Sequence, residues 1–187
     1  DLIISNLPYN LSSKVLERLI ALENNPKVMI LMFQKEFADR LLAINLNSIN
    51  SLIKCFYKVE LKFNVSKNCF RPVPKIRSSV LKFIKLDKSL ITKSEIKSFI
   101  NFKRYVFSYK RKTLRKVLKK YSMPDIFKTD IRVENLDLIE FIKLFRSIKI
   151  LPCLNTSLQN ILCSLHLPSN TDHLQFFKTS VLITTYP

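Results

Sequence analysis

Four consecutive residues near the start of the chain, Asn6-Leu7-Pro8-Tyr9, combine a polar amide, a rigid turn and an aromatic ring. They follow an apolar run, Leu2-Ile3-Ile4-Ser5, that reads as a buried strand. Pro8 cannot donate to a strand ladder and fixes its own φ, so the strand must end there. The amide, the turn and the ring are therefore predicted to meet at the carboxyl end of a strand. That is the end at which open α/β sheets carry their chemistry.

The elements that must position these groups follow from periodicity. Residues 1–87 alternate short apolar strands with helical patterns, which predicts βα units and a largely parallel sheet. After the first strand, Ser12 or Ser13 can cap a helix with Val15, Leu16, Leu19 and Ile20 on one face. Asn24-Asn25-Pro26 ends it, and Val28–Phe33 is the second strand. A helix over residues 35–42 turns Phe37, Ala38 and Leu41 inward, and a short helix is expected over 51–56. Lys35 with Asp39, and Glu36 with Arg40, can pair along the first of these. Tyr57–Val65 and Ser78–Lys85 are later strands, joined by a loop containing Phe70-Arg71-Pro72-Val73-Pro74-Lys75.

From about residue 90 the pattern is helical. Residues 82–120 hold 14 basic and 2 acidic side chains, a local net charge of +12. A helix over 110–121 would place Leu114, Val117, Leu118 and Tyr121 on one face and Lys112, Arg115, Lys116 and Lys119 on the other. Such a basic stripe suits a phosphate backbone, although a solvated face has the same pattern. A last helix is expected over 136–145, with Leu138, Phe141, Ile142 and Phe145 on one face. Residues 151–187 have one Lys, one Asp and no sustained period.

Composition bounds the function. The chain has 187 residues, 32 Lys and Arg against 14 Asp and Glu, and a net charge of +18. That balance points to a polyanionic partner, nucleic acid before an anionic membrane surface. No apolar run is long enough to span a bilayer. There is no glycine, which excludes a glycine-rich phosphate loop within this sequence and leaves tight turns to Asn, Asp, Ser and Pro. Cys55, Cys69, Cys153 and Cys163 have neither C-x-x-C spacing nor the density of a disulfide framework, so reduced, mostly buried thiols are expected. His166 and His173 with Cys153 and Cys163 do not have the spacing of a compact zinc site, so no metal is expected.

Four blocks of the sequence resemble the small-subunit rRNA adenine dimethyltransferases of the KsgA type. Asn6-Leu7-Pro8-Tyr9-Asn10-Leu11-Ser12-Ser13 is similar to that family's N-L-P-Y-N-I-S-S, and residues 32–41, MFQKEFADRL, to its M-x-Q-K-E-V-A-x-R-L. Phe70-Arg71-Pro72-Val73-Pro74-Lys75-Ile76-Arg77-Ser78 resembles F-x-P-x-P-K-V-x-S, and Lys110-Arg111-Lys112-Thr113-Leu114 resembles R-R-K-T-L. Arg132-Val133-Glu134-Asn135-Leu136 is similar to a following R-x-E-x-L. The blocks occur in the family's order and cover about residues 1–150. Two departures stand out. A Tyr-Gly pair usual after the second block is replaced by Asn47-Ser48-Ile49-Asn50-Ser51. The G-x-G-x-G cofactor loop that the family places before N-L-P-Y is not in this chain, so the expectation is an amino-terminally incomplete copy, a fragment.

The resemblance implies an α/β fold: the C-terminal part of a Rossmann-like class I methyltransferase sheet followed by a small all-α basic domain. The expected division is a partial methyltransferase domain at 1–87, a helical RNA-binding domain at 88–150 and an unassigned tail at 151–187. The implied activity is dimethylation of adenines in small-subunit rRNA during ribosome biogenesis, with S-adenosyl-L-methionine as cofactor and the pre-ribosomal small subunit as partner. No membrane association and a monomer are expected, in the cytoplasm of a bacterium or the mitochondrion or plastid of a eukaryote. The exocyclic amine of adenine is a poor nucleophile because its lone pair is delocalised into the ring. Two acceptors aimed at its hydrogens, the Asn6 side-chain oxygen and the Leu7 carbonyl, held by Pro8, can localise that pair. Catalysis is then positioning and electrostatics, without a titrating base. The base must first be flipped from its stack. Tyr9 would stack on one face and, by the resemblance, Phe70 on the other, while Asn6 also faces the cofactor. Lys75, Arg77, Arg111, Lys112, Arg115 and Lys116 are the expected phosphate contacts. The rival readings are a large-subunit rRNA adenine methylase and a non-catalytic nucleic-acid-binding relative, such as an organellar transcription factor. Titration calorimetry of this chain with S-adenosylmethionine should show no tight binding, because the sequence has no glycine-rich loop; tight binding would overturn that expectation.

Overall fold

The computed structural model describes residues 1–119 and 130–150 and the backbone of 181–184. Strands β1 (Leu2–Asn6) and β2 (Val28–Gln34) pair in parallel, from Leu2 opposite Val28 to Asn6 opposite Met32. The crossover between them is helix α1 (Ser12–Ala21), as a parallel pair requires. Its inward face is Leu16 and Ile20, both fully buried, and Val15 and Leu19 flank it half-buried. The first helical residue is Ser12, not a capping residue as expected. Its hydroxyl donates to the carbonyls of Pro8 (3.3 Å) and Tyr9 (3.2 Å), which ties the helix to the turn before it.

Helix α2 (Lys35–Leu42) leaves β2 directly, with Ala38 and Leu41 fully buried, Phe37 half-buried and Lys35 paired to Asp39 at 3.0 Å. The short α3 (Asn50–Ile53) is tighter than expected, because Cys55 and Phe56 continue it with bonds back to Leu52 and Ile53, three residues earlier. Strands β3 (Tyr57–Val65) and β4 (Ser78–Lys85) follow, and the sheet order is β3-β4-β2-β1-β5, where β5 is Val181–Thr184.

The expectation of a largely parallel sheet is corrected in one respect. Among the described residues only the β1–β2 ladder is parallel; β4 lies antiparallel to both β2 and β3, and β5 antiparallel to β1. The cause is the connection from β3 to β4. Residues 66–77 contain one three-residue 3-10 turn (Lys67–Cys69) and no crossover helix, so the chain turns back and inserts β4 between β3 and β2. β3 still points the same way as β1 and β2. The carboxyl ends of these three strands therefore share one end of the sheet with the start of β4, as the pairings Gln34–Ser78 and Val65–Ser78 record.

The core of this unit is the alternation of β2, where Met29, Leu31 and Phe33 are fully buried, against Leu81 and Phe83 of β4. Each such side chain contributes roughly 1.5–3 kcal/mol when fully buried. Phe83 makes edge contacts with Phe33 (6.0 Å) and Tyr57 (6.4 Å). Cys55 is buried, but Cys69 is exposed, against the expectation for the thiols, because it falls in the 3-10 turn of the 66–77 loop.

The chain divides into two compact units. The first holds residues 1–44, 49–93 and β5; the second holds 45–48 and, of the described residues, 94–119 and 130–150. The second unit is helical. In α4 (Ile96–Ser108) Phe99, Phe102 and Phe107 pack on Phe141 and Phe145 of α6 (Leu138–Ile150), with centroids 5.2–5.7 Å apart. Glu95 is clamped by two bonds from Arg146, each 3.1 Å. The buried Lys103 donates to the Ser48 carbonyl at 2.8 Å, and Leu46 donates its amide to the Glu134 carbonyl at 3.2 Å, which fixes the 45–48 loop. The expected helix over 110–121 is reduced to α5 (Leu114–Val117). Thr113 bridges to Arg132 and the Leu114 amide donates to the Ile131 carbonyl, so the backbone before Leu114 bonds across the chain and not along a helix. Tyr121 and most of the 151–187 tail, with Cys153, Cys163, His166 and His173, lie outside the described residues. Among the described residues no helix is long and apolar enough to cross a membrane, and no group of three His, Cys, Asp or Glu side chains could hold a metal ion.

Tyr57 gives the first unit a titrating core. It is 1% exposed, donates to the Pro26 carbonyl at 3.0 Å, and burial pushes its phenol up to about 12. The unfolded chain loses this proton from about pH 10. Between those values the folded state holds more protons, so stability is intact below pH 10 and falls as pH rises through the window. The loss should reach ~2–3 kcal/mol at most, by one pKa unit per 1.4 kcal/mol. Urea unfolding of Tyr57→Phe at pH 8–12 should lack this component of the alkaline decline; an identical decline in both proteins would overturn it.

Candidate nucleotide-binding site

Pro8 sits at φ −57°, ψ 127°, immediately after β1 ends at Asn6. The Leu7 side chain, 5% exposed, is driven into the core and anchors the turn from below. The Pro8 carbonyl then accepts the Leu11 amide at 3.0 Å and starts the 3-10 turn Tyr9–Leu11 that leads into α1. Asn6 is exposed at the strand end, and its carboxamide has no hydrogen-bond partner among the described residues.

An open cleft of about 380 Å³ lies against this turn. Asn6, Leu7, Pro8 and Tyr9 form one wall, and Phe70, Arg71, Pro72 and Pro74 form the other. The two segments are more than 60 residues apart in sequence and meet because residues 7–11 and 66–77 both leave the same end of the sheet. All five residues expected to surround a base are thus brought into one cleft. Tyr9 and Phe70 are both half-buried and line the cleft from opposite walls. The Tyr9 hydroxyl and Ser78 Oγ are 2.8 Å apart.

The lining residues that the sequence reading did not select are Arg71, Pro72 and Pro74, and of these Arg71 bears on ligand binding. It is the one charged side chain lining the cleft, is exposed, and has no ion pair or hydrogen bond among the described residues. Its position next to Phe70 in the proline-containing block was the available signal. Lys75 and Arg77 are exposed on the same loop but do not line the cleft. The Arg77 carbonyl accepts the Lys35 amide at 2.9 Å, which pins the end of that loop to α2. Arg111, Lys112, Arg115 and Lys116 belong to the second unit. All four are exposed, while Leu114, Val117 and Leu118 are buried, so the segregation of faces expected for this segment holds even where the helix does not. Arg115 pairs with Asp130 at 3.1 Å, and Lys112 lies over the Tyr109 ring at 4.9 Å.

Another cavity in the first unit, about 150 Å³, is lined by Glu23, Asn25, Phe56, Asp87 and Lys93, among others. Lys93 is already engaged there with the carbonyls of Ile20 and Leu22 and the side chain of Asn25. Burial, and then Lys85, hold the Lys93 ammonium below the usual lysine range. This cavity lies at the end of α1, and its Lys93 ammonium is already taken up by the fold.

A sheet with three co-directional strands, an antiparallel strand inserted next to its edge, and a cleft at the strand ends lined by N-L-P-Y and F-x-P-x-P places the chain among the Rossmann-like methyltransferases. It belongs to the ribosomal RNA adenine dimethylase family, whose model matches residues 2–151. It is 34% identical over 160 residues to the ribosomal RNA small subunit methyltransferase A of Natranaerobius thermophilus, an alignment covering 78% of this chain and 53% of that protein. The structure is similar to that of a dimethyladenosine transferase from Plasmodium falciparum, with a TM-score of 0.70, 29% identity and coverage of 80% of this chain and 66% of the other. It also shares a fold with the 23S rRNA methyltransferase ErmE, with a TM-score of 0.60, 13% identity and coverage of 79% and 65%. The chain spans about half the length of the curated relatives it matches.

Proposed function

We propose that this chain carries the target-base half of an rRNA adenine dimethyltransferase acting on small-subunit rRNA during ribosome biogenesis, as a monomer. One observation carries the reading: the fold brings Asn6, Leu7, Pro8 and Tyr9 against Phe70 in one cleft. A flipped adenine entering that cleft stacks on Tyr9 and Phe70. Stacking contributes about 1–3 kcal/mol per base, which offsets much of the few kcal/mol needed to unstack it. The Asn6 carboxamide oxygen and the Leu7 carbonyl accept the two amine hydrogens, and the rigid Pro8 turn holds them without reorganisation at the moment of reaction.

S-adenosylmethionine, when bound, supplies a methyl group already activated on a sulfonium. The polar groups of this chain, a carboxamide oxygen and a carbonyl that accept beside two rings, fit the base; toward the cofactor it offers Asn6, and no glycine-rich loop is among its 187 residues. Arg71, at the lip of the cleft, is placed to meet a phosphate of the flipped nucleotide. The partial methyltransferase segment, 1–87, would then present the base site, and the basic helical segment, 88–150, with Arg111, Lys112, Arg115 and Lys116, would hold the RNA backbone together with Lys75 and Arg77. The relative named small subunit methyltransferase A favours the small-subunit substrate over a large-subunit one. The likeness to the 23S rRNA methyltransferase, at 13% identity, supports the fold alone.

Two measurements on this chain test the reading. Its affinity for an oligoribonucleotide with one unpaired adenine should exceed that for the same strand with purine, which lacks the exocyclic amine, by about threefold to tenfold, the value of one or two hydrogen bonds. Asn6→Ala should reduce that ratio to the share of the Leu7 carbonyl, whereas a binding module that ignores the amine should show no ratio to reduce. Separately, Arg71→Gln should weaken binding of a single strand and reduce the slope of log affinity against log salt by about 0.7, the expectation for one lost phosphate contact. An unchanged slope would remove Arg71 from the interface.

A further inference from the structure

The hydrogen bond between Tyr9 and Ser78, 2.8 Å long, spans 69 positions of sequence. Its two ends differ. Tyr9 is half-buried and lines the cleft, whereas Ser78 is fully buried and is the first residue of β4. Ser78 is also held on every side. Its backbone pairs with Gln34 of β2 and Val65 of β3, the carbonyl of the preceding Arg77 accepts the Lys35 amide, and the next residue, Ser79, bonds to Asn64 at 2.7 Å. A hydroxyl at such a point is a fixed anchor, and its partner is the movable ring.

We propose that Ser78 is a positioning residue of the base site: its hydroxyl holds the Tyr9 ring in the orientation that stacks on a nucleobase. The inference rests on reading the cleft as an adenine pocket. A tyrosine side chain has two torsions to settle before it can stack. The phenol oxygen is at the far tip of the ring, so anchoring it fixes where the ring points. The phenolic O–H also prefers the ring plane, so a partner in a fixed direction biases the rotation of the ring about its own axis. Ser78 is, in addition, the residue at which the loop carrying Phe70 rejoins the sheet. One hydrogen bond therefore ties one aromatic wall of the cleft to the base of the loop that bears the other. A buried serine could meet its needs with any carbonyl; the bond to a cleft-lining ring is what gives this one a function.

The test uses the chain with an oligoribonucleotide carrying 2-aminopurine, a fluorescent adenine analogue, at one unpaired position. The chain has no tryptophan, so protein emission does not interfere. Ser78→Ala and Tyr9→Phe should each weaken binding by about threefold to tenfold, the range for one hydrogen bond. Each should also raise the long-lifetime, unstacked fraction of the bound base. The double variant should be no worse than either single one, because both remove the same bond. Thermal unfolding of Tyr9→Phe should stay cooperative, lowered by no more than one lost hydrogen bond accounts for. If Ser78→Ala binds like the parent while Tyr9→Ala does not, or if the two single effects add, the positioning role is overturned and the pocket stands. If Tyr9→Ala has no effect, the pocket reading itself falls and the positioning role falls with it. Should Ser78→Ala fail to fold, Tyr9→Phe decides alone: parental affinity and lifetimes would overturn the role.

Discussion

Pro8 has no amide hydrogen, and the arrangement of the cleft depends on that missing donor. A residue with an N–H at this position could extend β1 beside β2, and Tyr9 would then leave the sheet elsewhere. With proline the strand must stop. The Leu7 side chain buries itself under the turn, and the freed Pro8 carbonyl is taken up by the Leu11 amide and the Ser12 hydroxyl. These contacts convert a strand end into a rigid corner leading directly into α1. Asn6 and Leu7 are left lining the cleft beside it. Under the function proposed above, that corner would present the two acceptors by positioning alone.

The second wall arrives by topology. Were β4 a parallel strand reached by a crossover helix, it would begin at the opposite end of the sheet and its preceding loop would lie far from Pro8. Because β4 is antiparallel, the chain between β3 and β4 stays at the end where β1 also terminates. Phe70, Arg71, Pro72 and Pro74 are thereby delivered to Asn6–Tyr9 by a short reversal. The prolines of that loop limit its conformations before any ligand is present, which lowers the entropy lost on binding.

The extents of β1 to β4 and α2 were nearly all legible from apolar alternation and from Pro8 and Pro26, since these are local signals. What was not legible depends on distant partners. The sense of β4 is decided by which edge it pairs with, and periodicity of two is the same for either sense. The segment before Leu114 has a helical pattern of apolar and basic residues, but its backbone bonds go to Ile131 and Arg132. Side-chain pattern assigned the buried face and could not assign the hydrogen bonds. The same holds in the site. Asn6 to Tyr9 could be read directly, Phe70 only through a family resemblance, and Arg71 and the Tyr9–Ser78 bond required the two walls to be seen together.

The absence of glycine, read at first as a constraint on turns, also bears on how the charge should be interpreted. Helices often end with a glycine that lets the last carbonyls be capped by the backbone itself. Here α1 passes into Leu22 at ψ 145° and α2 into Ala43 at ψ 139°, so both chains leave extended and carbonyls near the helix ends need other donors. In α1 the Ile20 carbonyl takes Asn25 (2.7 Å) and Lys93 (3.1 Å); at the end of α2 the Ala43 carbonyl takes Asn50 (3.1 Å) and Lys54 (2.7 Å). An amide and an ammonium together do at both ends what a backbone turn does elsewhere. Lys103, on the Ser48 carbonyl, is a third lysine used internally. Partial burial lowers the Lys54 ammonium from the usual range, and burial followed by the nearby Lys85 charge lowers that of Lys93, against the opposite pull of the carbonyls that accept from them. The net charge of +18 therefore overstates the surface available to a polyanion. The lysines that close helices and loops belong to the fold, while many other basic residues remain exposed, those of the 66–77 loop and the Arg111–Lys119 segment among them.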